Sequence, residues 1–375
     1  MNSRERVNTA LEHKQPDMVP ISMGAHICDS FTRFSKDVYE KYLGHETTPH
    51  FITHKAMGTV STPEYIMNMF EMDFRTIRLK APDVDSTITY EDGSYLDEFG
   101  LVWKPCEYYY DMVVRPLTGE ITVNDIEKTI RFDPHATGRA AGIAREAKNL
   151  YKNTDFAVVT DLMCAGPFEQ SLWLRGWEDF FYDIYKEPKL AEALLNKITE
   201  IDIALYDVLL SETGDYVDIV CQGDDLGMQD RSIIPLEIYD KYIKKYHKRI
   251  FDFIKSKTRA KIFLHTCGSV SELIPGLIEA GVDILNPVQT SAKNMNPENL
   301  KKEFGKDICF WGAIDVQRLL PFGTPQQIED EIKKLIEVLG KDGGYILSPA
   351  HNIQALVPGQ NIDAMRKAMI KYRNF

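Results

Sequence analysis

Short apolar runs alternate with longer amphipathic segments along most of the chain. The runs of strand length are 18–23, 75–79, 156–160, 217–221, 261–264, 283–286, 308–311 and 345–347. Segments between them, such as 236–255 and 325–339, place apolar residues at helical spacing. Such alternation is typical of a parallel sheet with crossover helices, and about eight strands are needed to close a barrel. We therefore predict an α/β fold of the (β/α)8 TIM barrel type rather than a doubly wound open sheet.

One stretch, 87–114, departs from this alternation. It combines residues that favour strands with the turn residues Glu91-Asp92-Gly93-Ser94. The pattern predicts a β-hairpin inserted after the second strand. No linker rich in proline, glycine or serine interrupts the remainder, so we expect a single barrel domain spanning 1–375.

Composition and charge narrow the class of protein. Hydrophobic residues make up 44% and charged residues 27%, which is typical of a packed globular protein and argues against disorder. The net charge of −12 has the wrong sign for binding nucleic acid phosphates. The sequence contains no apolar run long enough to cross a membrane, and its 6 cysteines form no CxxC pair. We expect a cytoplasmic enzyme with reduced thiols and no membrane span.

The strongest chemical signal is Phe263-Leu264-His265-Thr266-Cys267-Gly268, where an apolar strand ends in His-x-Cys. Residues i and i+2 of an extended chain point the same way, so His265 and Cys267 can direct two donor atoms at one point. His351 follows the last predicted strand, at the same edge of the barrel. Together they form a His₂Cys set suited to catalytic zinc. The alternative for an isolated His-x-Cys is a hydrogen-bonded histidine beside a buried, inert thiol.

Two carboxylates at strand ends are candidate catalytic residues. Asp224 lies in Gly223-Asp224-Asp225 after the fourth strand, and Glu169 lies shortly after the third. The alternative for Asp224 is helix capping or loop solvation, whereas Glu169 is a candidate fourth ligand or substrate contact. Cys164 and Cys221 are alternative metal ligands. We interpret Trp173 as a helix-packing residue.

Several segments identify a family. They are Arg4-Glu5-Arg6, the run 10–17 (Ala-Leu-Glu-His-Lys-Gln-Pro-Asp), Gly166-Pro167-Phe168, Gly312-Ala313-Ile314-Asp315 and 343–351. With these, nearly the whole chain resembles the uroporphyrinogen decarboxylase superfamily, and more closely its corrinoid-dependent methyltransferase branch. The resemblance implies a (β/α)8 barrel whose active site lies at the carboxyl ends of the strands.

The resemblance also implies specific site residues. Decarboxylases of the superfamily carry paired arginines just after the first strand, but 21–28 contains no arginine. The methyltransferase branch binds zinc through His-x-Cys and a later cysteine after the last strand. His265 and Cys267 match the first two ligands, and His351 stands at the place of the later cysteine, where the decarboxylases also carry a histidine.

These features lead to a functional hypothesis. We expect a zinc-dependent methyltransferase that moves a methyl group between a corrinoid (cobalamin) on a partner protein and a methyl ether, methanol or a thiol. One thiolate and two imidazoles would leave the zinc centre formally near +1, a stronger Lewis acid than a centre with two thiolates. The alternatives are a uroporphyrinogen decarboxylase-like enzyme and a non-catalytic barrel that binds a corrinoid or small ligand. The resemblance also implies a homodimer.

Overall fold

The structure is a computed structural model that describes residues 1–163 and 165–374. Its strands are β1 (Phe31–Thr32), β2 (Ile52–His54), β3 (Thr59–Val60), β4 (Phe74–Ile77), β5 (Ile88–Thr89), β6 (Tyr95–Leu96), β7 (Val102–Cys106), β8 (Tyr109–Val114), β9 (Ala157–Thr160), β10 (Ile219–Gly223), β11 (Lys261–His265), β12 (Ile284–Asn286), β13 (Cys309–Ile314) and β14 (Tyr345–Pro349). Its helices are α1 (Ser3–Leu11), α2 (Arg33–Tyr42), α3 (Glu64–Met69), α4 (Val123–Thr129), α5 (Ile143–Asn153), α6 (Pro167–Arg175), α7 (Trp177–Lys186), α8 (Pro188–Thr213), α9 (Leu236–Ile238), α10 (Lys244–Lys257), α11 (Ile274–Ala280), α12 (Pro297–Phe304), α13 (Leu319–Phe322), α14 (Pro325–Leu339) and α15 (Gly359–Tyr372).

A curled parallel sheet forms the centre of the fold. Its 7 strands follow the order β14-β13-β12-β11-β10-β9-β4. Every position of β10, β13 and β14 is buried, as expected for a sheet covered on both faces. The architecture is that of a TIM-like α/β barrel, and it confirms the predicted fold class at that level.

Alternate strand residues fill the space enclosed by the sheet. Trp311 lies in its centre, with ring centroids 4.7 Å from Phe74 and 5.1 Å from Phe263. Cys221 of β10 belongs to the same buried cluster. Because side chains alternate along a strand, the residue two positions after Phe263 lies on the same face, above this cluster. That residue is His265, at the end of β11.

The predicted first strand, 18–23, does not form a regular strand. Its backbone nevertheless lies between two strands, since Ser22 N–H donates to Leu347 of β14 at 2.9 Å and Ile21 accepts from Asp73 N–H at 3.0 Å. Pro20 has no N–H to donate. The N–H of Ile21 donates to the side chain of Asp73 at 2.8 Å instead of to a strand backbone. The pairing of this run with β14 is therefore limited to an isolated bridge between Ile21 and Leu347.

The region predicted as a single hairpin is an antiparallel sheet of 4 strands in the order β5-β6-β7-β8. Two of its turns contain glycines with positive φ, Gly93 (83°) and Gly100 (87°). A third turn precedes Tyr109 and contains Glu107 at φ 48°. The single-hairpin prediction is corrected, because it recognised only the turn at 91–94.

Amphipathic helices cover the outside of the sheet. The longest, α8, buries one face with residues spaced three or four apart, including Leu194, Ile198 and Leu205. In the part of the chain that is described, no helix is long and apolar enough to span a membrane.

Candidate metal centre and active site

His265 is held at the carboxyl end of β11 by its neighbour on β12. Its Nδ1 lies 2.5 Å from Oδ1 of Asn286, so Nδ1 carries the proton and Nε2 is free to bind a metal. Nε2 lies 3.3 Å from Sγ of Cys267. Burial, which disfavours the charged ring, lowers the pKa of His265 to about 4. The imidazole is therefore neutral at physiological pH, the form that ligates metals.

Cys267 lies in a tight turn after β11. Its N–H donates to Oδ1 of Asp225 at 2.7 Å. The following residue, Gly268, has φ +85°, and a Cβ there would lie 2.6 Å from the backbone of Gly227. A glycine is therefore required at this position. Burial, and then the charge of Asp225, raise the pKa of the Cys267 thiol well above its usual range.

His351 reaches the same place from the loop after β14. The ring centroids of His351 and His265 are 5.5 Å apart. Burial, and then the neighbouring His265, lower the pKa of His351 to about 4. This ring is also neutral and available as a ligand.

Two overlapping sets of donor atoms meet at His265, and within each set all atoms lie within 4.8 Å of one another. One set contains Asp225, His265 and Cys267, and the other contains Cys28, His265 and His351. The three predicted ligands therefore lie around a common residue, but they are divided between the two sets. Cys28 and Asp225 are additional donors.

The chemistry of these donors fits a zinc ion. Thiolate sulfur, imidazole nitrogen and carboxylate oxygen are the ligands that zinc takes in proteins. Both imidazoles are neutral, and the carboxylates of Asp225 and Glu169 act electrostatically on both thiols. A divalent cation would stabilise this concentration of buried negative charge.

Glu169 faces the site from the first turn of α6. Its Oε2 accepts a hydrogen bond from the N–H of Asp225 at 3.3 Å. Burial raises the pKa of Glu169 well above its usual range, and the charges of Asp225 and Asp224 raise it further. The carboxyl group of Glu169 therefore retains its proton at higher pH than an ordinary glutamate.

Asp224, the other predicted catalytic residue, is wholly buried behind the site. Its carboxylate accepts hydrogen bonds from the N–H groups of Phe168 at 3.1 Å and Glu169 at 2.6 Å, at the start of α6. It also lies 2.7 Å from Nε2 of His247. This is the helix-capping role given above as the alternative, and Asp224 positions Glu169 without facing the site.

Two cavities open beside the donors. The larger, of about 630 Å³, is lined by Cys28, Glu169, Asp225, His265 and His351. Its walls are rich in aromatic side chains, namely Tyr95, Phe99, Trp103, Tyr110, Phe132 and Trp173. The interpretation of Trp173 as a packing residue is thus incomplete, because this residue also lines the cavity.

The smaller cavity, of about 590 Å³, is lined by Cys267 and His351. Among the described residues, Tyr109, His351 and Gln354 line both cavities. The hydroxyl of Tyr109, in the inserted sheet, donates a short hydrogen bond to Oε1 of Gln354, beyond β14. This contact links the inserted sheet to the mouth of the barrel between the two cavities.

Cys28 is the residue of this site that sequence reasoning missed. A signal was present, since His26-Ile27-Cys28 repeats the His-x-Cys spacing just after the first apolar run. Of the other candidate ligands, Cys221 is fully buried within the sheet, below the donor sets. Cys164 lies outside the described residues.

The chain belongs to the uroporphyrinogen decarboxylase (URO-D) family, whose model matches residues 112–372. This match covers well over half of the chain and confirms the family resemblance identified from the sequence.

Individual relatives include methyltransferases and decarboxylases. A methylated-thiol–coenzyme M methyltransferase from Methanosarcina mazei is 24% identical over 67% of this chain and 66% of its own length. A methylcobamide:CoM methyltransferase MtbA from the same species is 23% identical over 70% of this chain and 74% of its own. A uroporphyrinogen decarboxylase from Chlorobium phaeobacteroides is 25% identical over 50% of this chain and 52% of its own length. The chain thus matches just under two thirds of the first relative's length.

A solved structure supports the fold over the full length. It is described as a methyltransferase from Methanosarcina mazei and superposes with a TM-score of 0.67, covering 99% of both chains at 16% identity. At this identity the similarity supports the architecture.

Proposed function

We propose that this protein is a methyltransferase that moves a methyl group between a corrinoid on a partner protein and a small substrate. The substrate is a methyl ether, methanol or a thiol. The observation that carries the proposal is that Cys267 and His351 each share a donor set with His265, and that His351 lines both cavities. The relatives named for methylcobamide and coenzyme M support the same chemistry.

His265, Cys267 and His351 would hold a zinc ion. Zinc supplies Lewis acidity, which favours ionisation of a thiol or polarises the oxygen of a methyl ether or of methanol. Asn286 keeps the ring of His265 in the tautomer that presents Nε2, and Asp225 holds the turn that carries Cys267. These outer contacts support the donor geometry.

Glu169 is the proposed proton-transfer residue. An oxygen that loses a methyl group must gain a proton, and a thiol that accepts a methyl group must lose its proton. Glu169 lines the larger cavity, and its raised pKa favours the protonated carboxyl group that a proton donor needs. Asp224 acts as a positioning residue by fixing the start of α6.

The two cavities have different proposed roles. The aromatic walls of the larger cavity suit a small methylated molecule, which would pack against Trp103, Tyr110 and Trp173. The smaller cavity has exposed apolar residues in its lining, with Phe322 76% and Leu356 63% exposed. We assign the smaller cavity to the approach of the partner's corrinoid.

The electrostatics of the larger cavity disfavour the decarboxylase alternative. Asp97, Glu98 and Asp225 line this cavity, and among its described lining residues Lys55 is the one lysine or arginine. A polycarboxylated tetrapyrrole requires the opposite charge, usually supplied by arginine.

We also propose that the whole chain forms a single barrel domain. Residues 18–23 act as the remaining strand of an eight-stranded barrel, in which 1–375 is one domain. The cytoplasm is the proposed location.

The proposal is tested by assaying the purified protein with methylcobalamin or cob(I)alamin against methyl ethers, methanol and thiols. Methyl transfer that depends on bound metal is the expected result. Fluorescence-monitored turnover of uroporphyrinogen would support the decarboxylase alternative instead. Tight cobalamin binding by metal-free protein, without turnover, would support the binding alternative.

A further inference from the structure

Cys28 lies beside the proposed metal centre but is not one of the three ligands assigned to it above. Its Sγ lies within 4.8 Å of ring nitrogens of both His265 and His351. Donor atoms that share one zinc ion lie within roughly 4 Å of one another, so this set is close to the required size. Cys28 is only 5% exposed, and it lines the larger cavity.

We propose that Cys28 is a ligand of this metal centre, together with His265, Cys267 and His351. The inference rests on the metal centre proposed above. The second thiolate ligand then comes from Cys28, in the loop after the first apolar run. The loop after the last strand supplies a histidine, His351.

The backbone around Cys28 is held in a defined turn. The carboxylate of Asp29 accepts hydrogen bonds from the N–H groups of Gly24 and His26, each at 3.0 Å, and a short one from the hydroxyl of Ser22. The N–H of Ile27 donates to Asp161 at 2.8 Å. The backbone that carries Cys28 is therefore held by Asp29 and Asp161.

The two His-x-Cys segments contribute differently to the centre. In the first segment, the ring of His26 packs against Phe263 at 4.7 Å and Trp311 at 5.5 Å, below the site. Only the cysteine of that segment lies in a donor set. In the second segment both His265 and Cys267 do.

A second thiolate changes the charge of the centre. Two thiolates would balance the charge of a divalent zinc ion, so the centre is nearly neutral rather than formally near +1. The carboxylates of Asp225, Asp161 and Glu169 disfavour a negative charge on the Cys28 sulfur. A cation beside this sulfur would offset that repulsion.

The experiment counts thiolate ligands in the full-length protein after replacement of zinc by Co²⁺. Thiolate ligands give sulfur-to-cobalt charge-transfer absorption in the near ultraviolet, with an intensity that grows with their number. At saturating Co²⁺ we expect Cys28→Ser to lose about half of this absorption per bound ion. Cys106→Ser, an exposed cysteine of the inserted sheet, is the matched control and should retain the full band.

The outcomes separate this inference from the proposed function. A full charge-transfer band in Cys28→Ser would overturn the role of Cys28 and leave the metal centre in place. Wild-type protein that binds neither zinc nor Co²⁺ would overturn both. If Cys28→Ser does not fold, zinc-edge X-ray absorption of the wild-type protein decides the question, because two sulfur ligands support the inference and one sulfur contradicts it.

Discussion

The strand ends of the central sheet and the inserted sheet face the same cavity but contribute different chemistry. The strand ends and the loops that follow them supply donor and proton-transfer groups, including His265, Cys267 and His351. The inserted sheet supplies aromatic walls through Tyr95, Trp103 and Tyr110, and it carries exposed apolar residues on its outer side. Groups that must be placed within fractions of an ångström lie at the ends of buried strands or just after them, whereas groups that shape the cavity lie on a peripheral sheet.

This contrast predicts separable effects of mutation. Changes at the strand ends should affect bound metal and the rate of the chemical step. Changes in the inserted sheet should affect substrate affinity and leave the metal in place.

The largest effect is expected for Cys267→Ala. Removal of a thiolate from the predicted ligand set should abolish both bound zinc and methyl transfer. Metal analysis and a methylcobalamin assay of the same preparation measure the two losses. Cys106→Ser should keep both properties, and full zinc occupancy in Cys267→Ala would refute the ligand assignment.

Glu169→Gln should slow the reaction without loss of metal. The amide preserves the shape of the side chain but cannot transfer the proton, so we expect kcat to fall by about 100-fold. Steady-state kinetics with parallel zinc analysis measure this. Glu178→Gln, an exposed glutamate on α7, is the control. An unchanged kcat in Glu169→Gln would remove this residue from the mechanism.

Asp224→Ala should destabilise the fold as well as the site. It removes the carboxylate that contacts Nε2 of the buried His247 and caps the start of α6, so the free energy of unfolding should fall by about 3 kcal/mol. Denaturant titration measures the change against Asp252→Ala, whose side chain is 60% exposed. Equal stabilities of these two variants would contradict the capping role.

The smallest effect is expected for Tyr109→Phe. It removes two hydrogen bonds between the inserted sheet and the barrel mouth, a short one to Gln354 and one of 3.4 Å from the N–H of Ala355. The expected loss of about 1 kcal/mol corresponds to a rise in KM of roughly fivefold, with kcat and zinc content unchanged. Tyr182→Phe, at an exposed tyrosine, is the control. A loss of zinc in Tyr109→Phe would break the proposed separation between the two regions.

Much of the fold was predictable because buried parallel strands have a simple pattern. Each of the strands β4, β9, β10, β11, β12, β13 and β14 overlaps a predicted apolar run. The first run does not form a regular strand because the N–H of Ile21 donates to the side chain of Asp73, a residue distant in the sequence. The number of strands in the insertion depended on local turns such as the one at Glu107, which had no glycine signal.

The site was predictable where the geometry is local. His265 and Cys267 were identified from alternation at a strand end, and His351 from its position after the last strand. Cys28 was missed because its direction depends on a turn held by Asp29 and by the distant Asp161. Sequence alone also did not distinguish Asp224, which faces α6, from Asp225, which faces the cavity.

The central claim is that the strand ends hold a metal ion between the two cavities. Elemental analysis of purified wild-type protein and of His351→Ala, both prepared without chelators, tests it most directly. We predict about one equivalent of zinc in the wild type and clearly less in the variant. Wild-type protein without zinc, or a His351→Ala variant with the full wild-type content, would contradict the account.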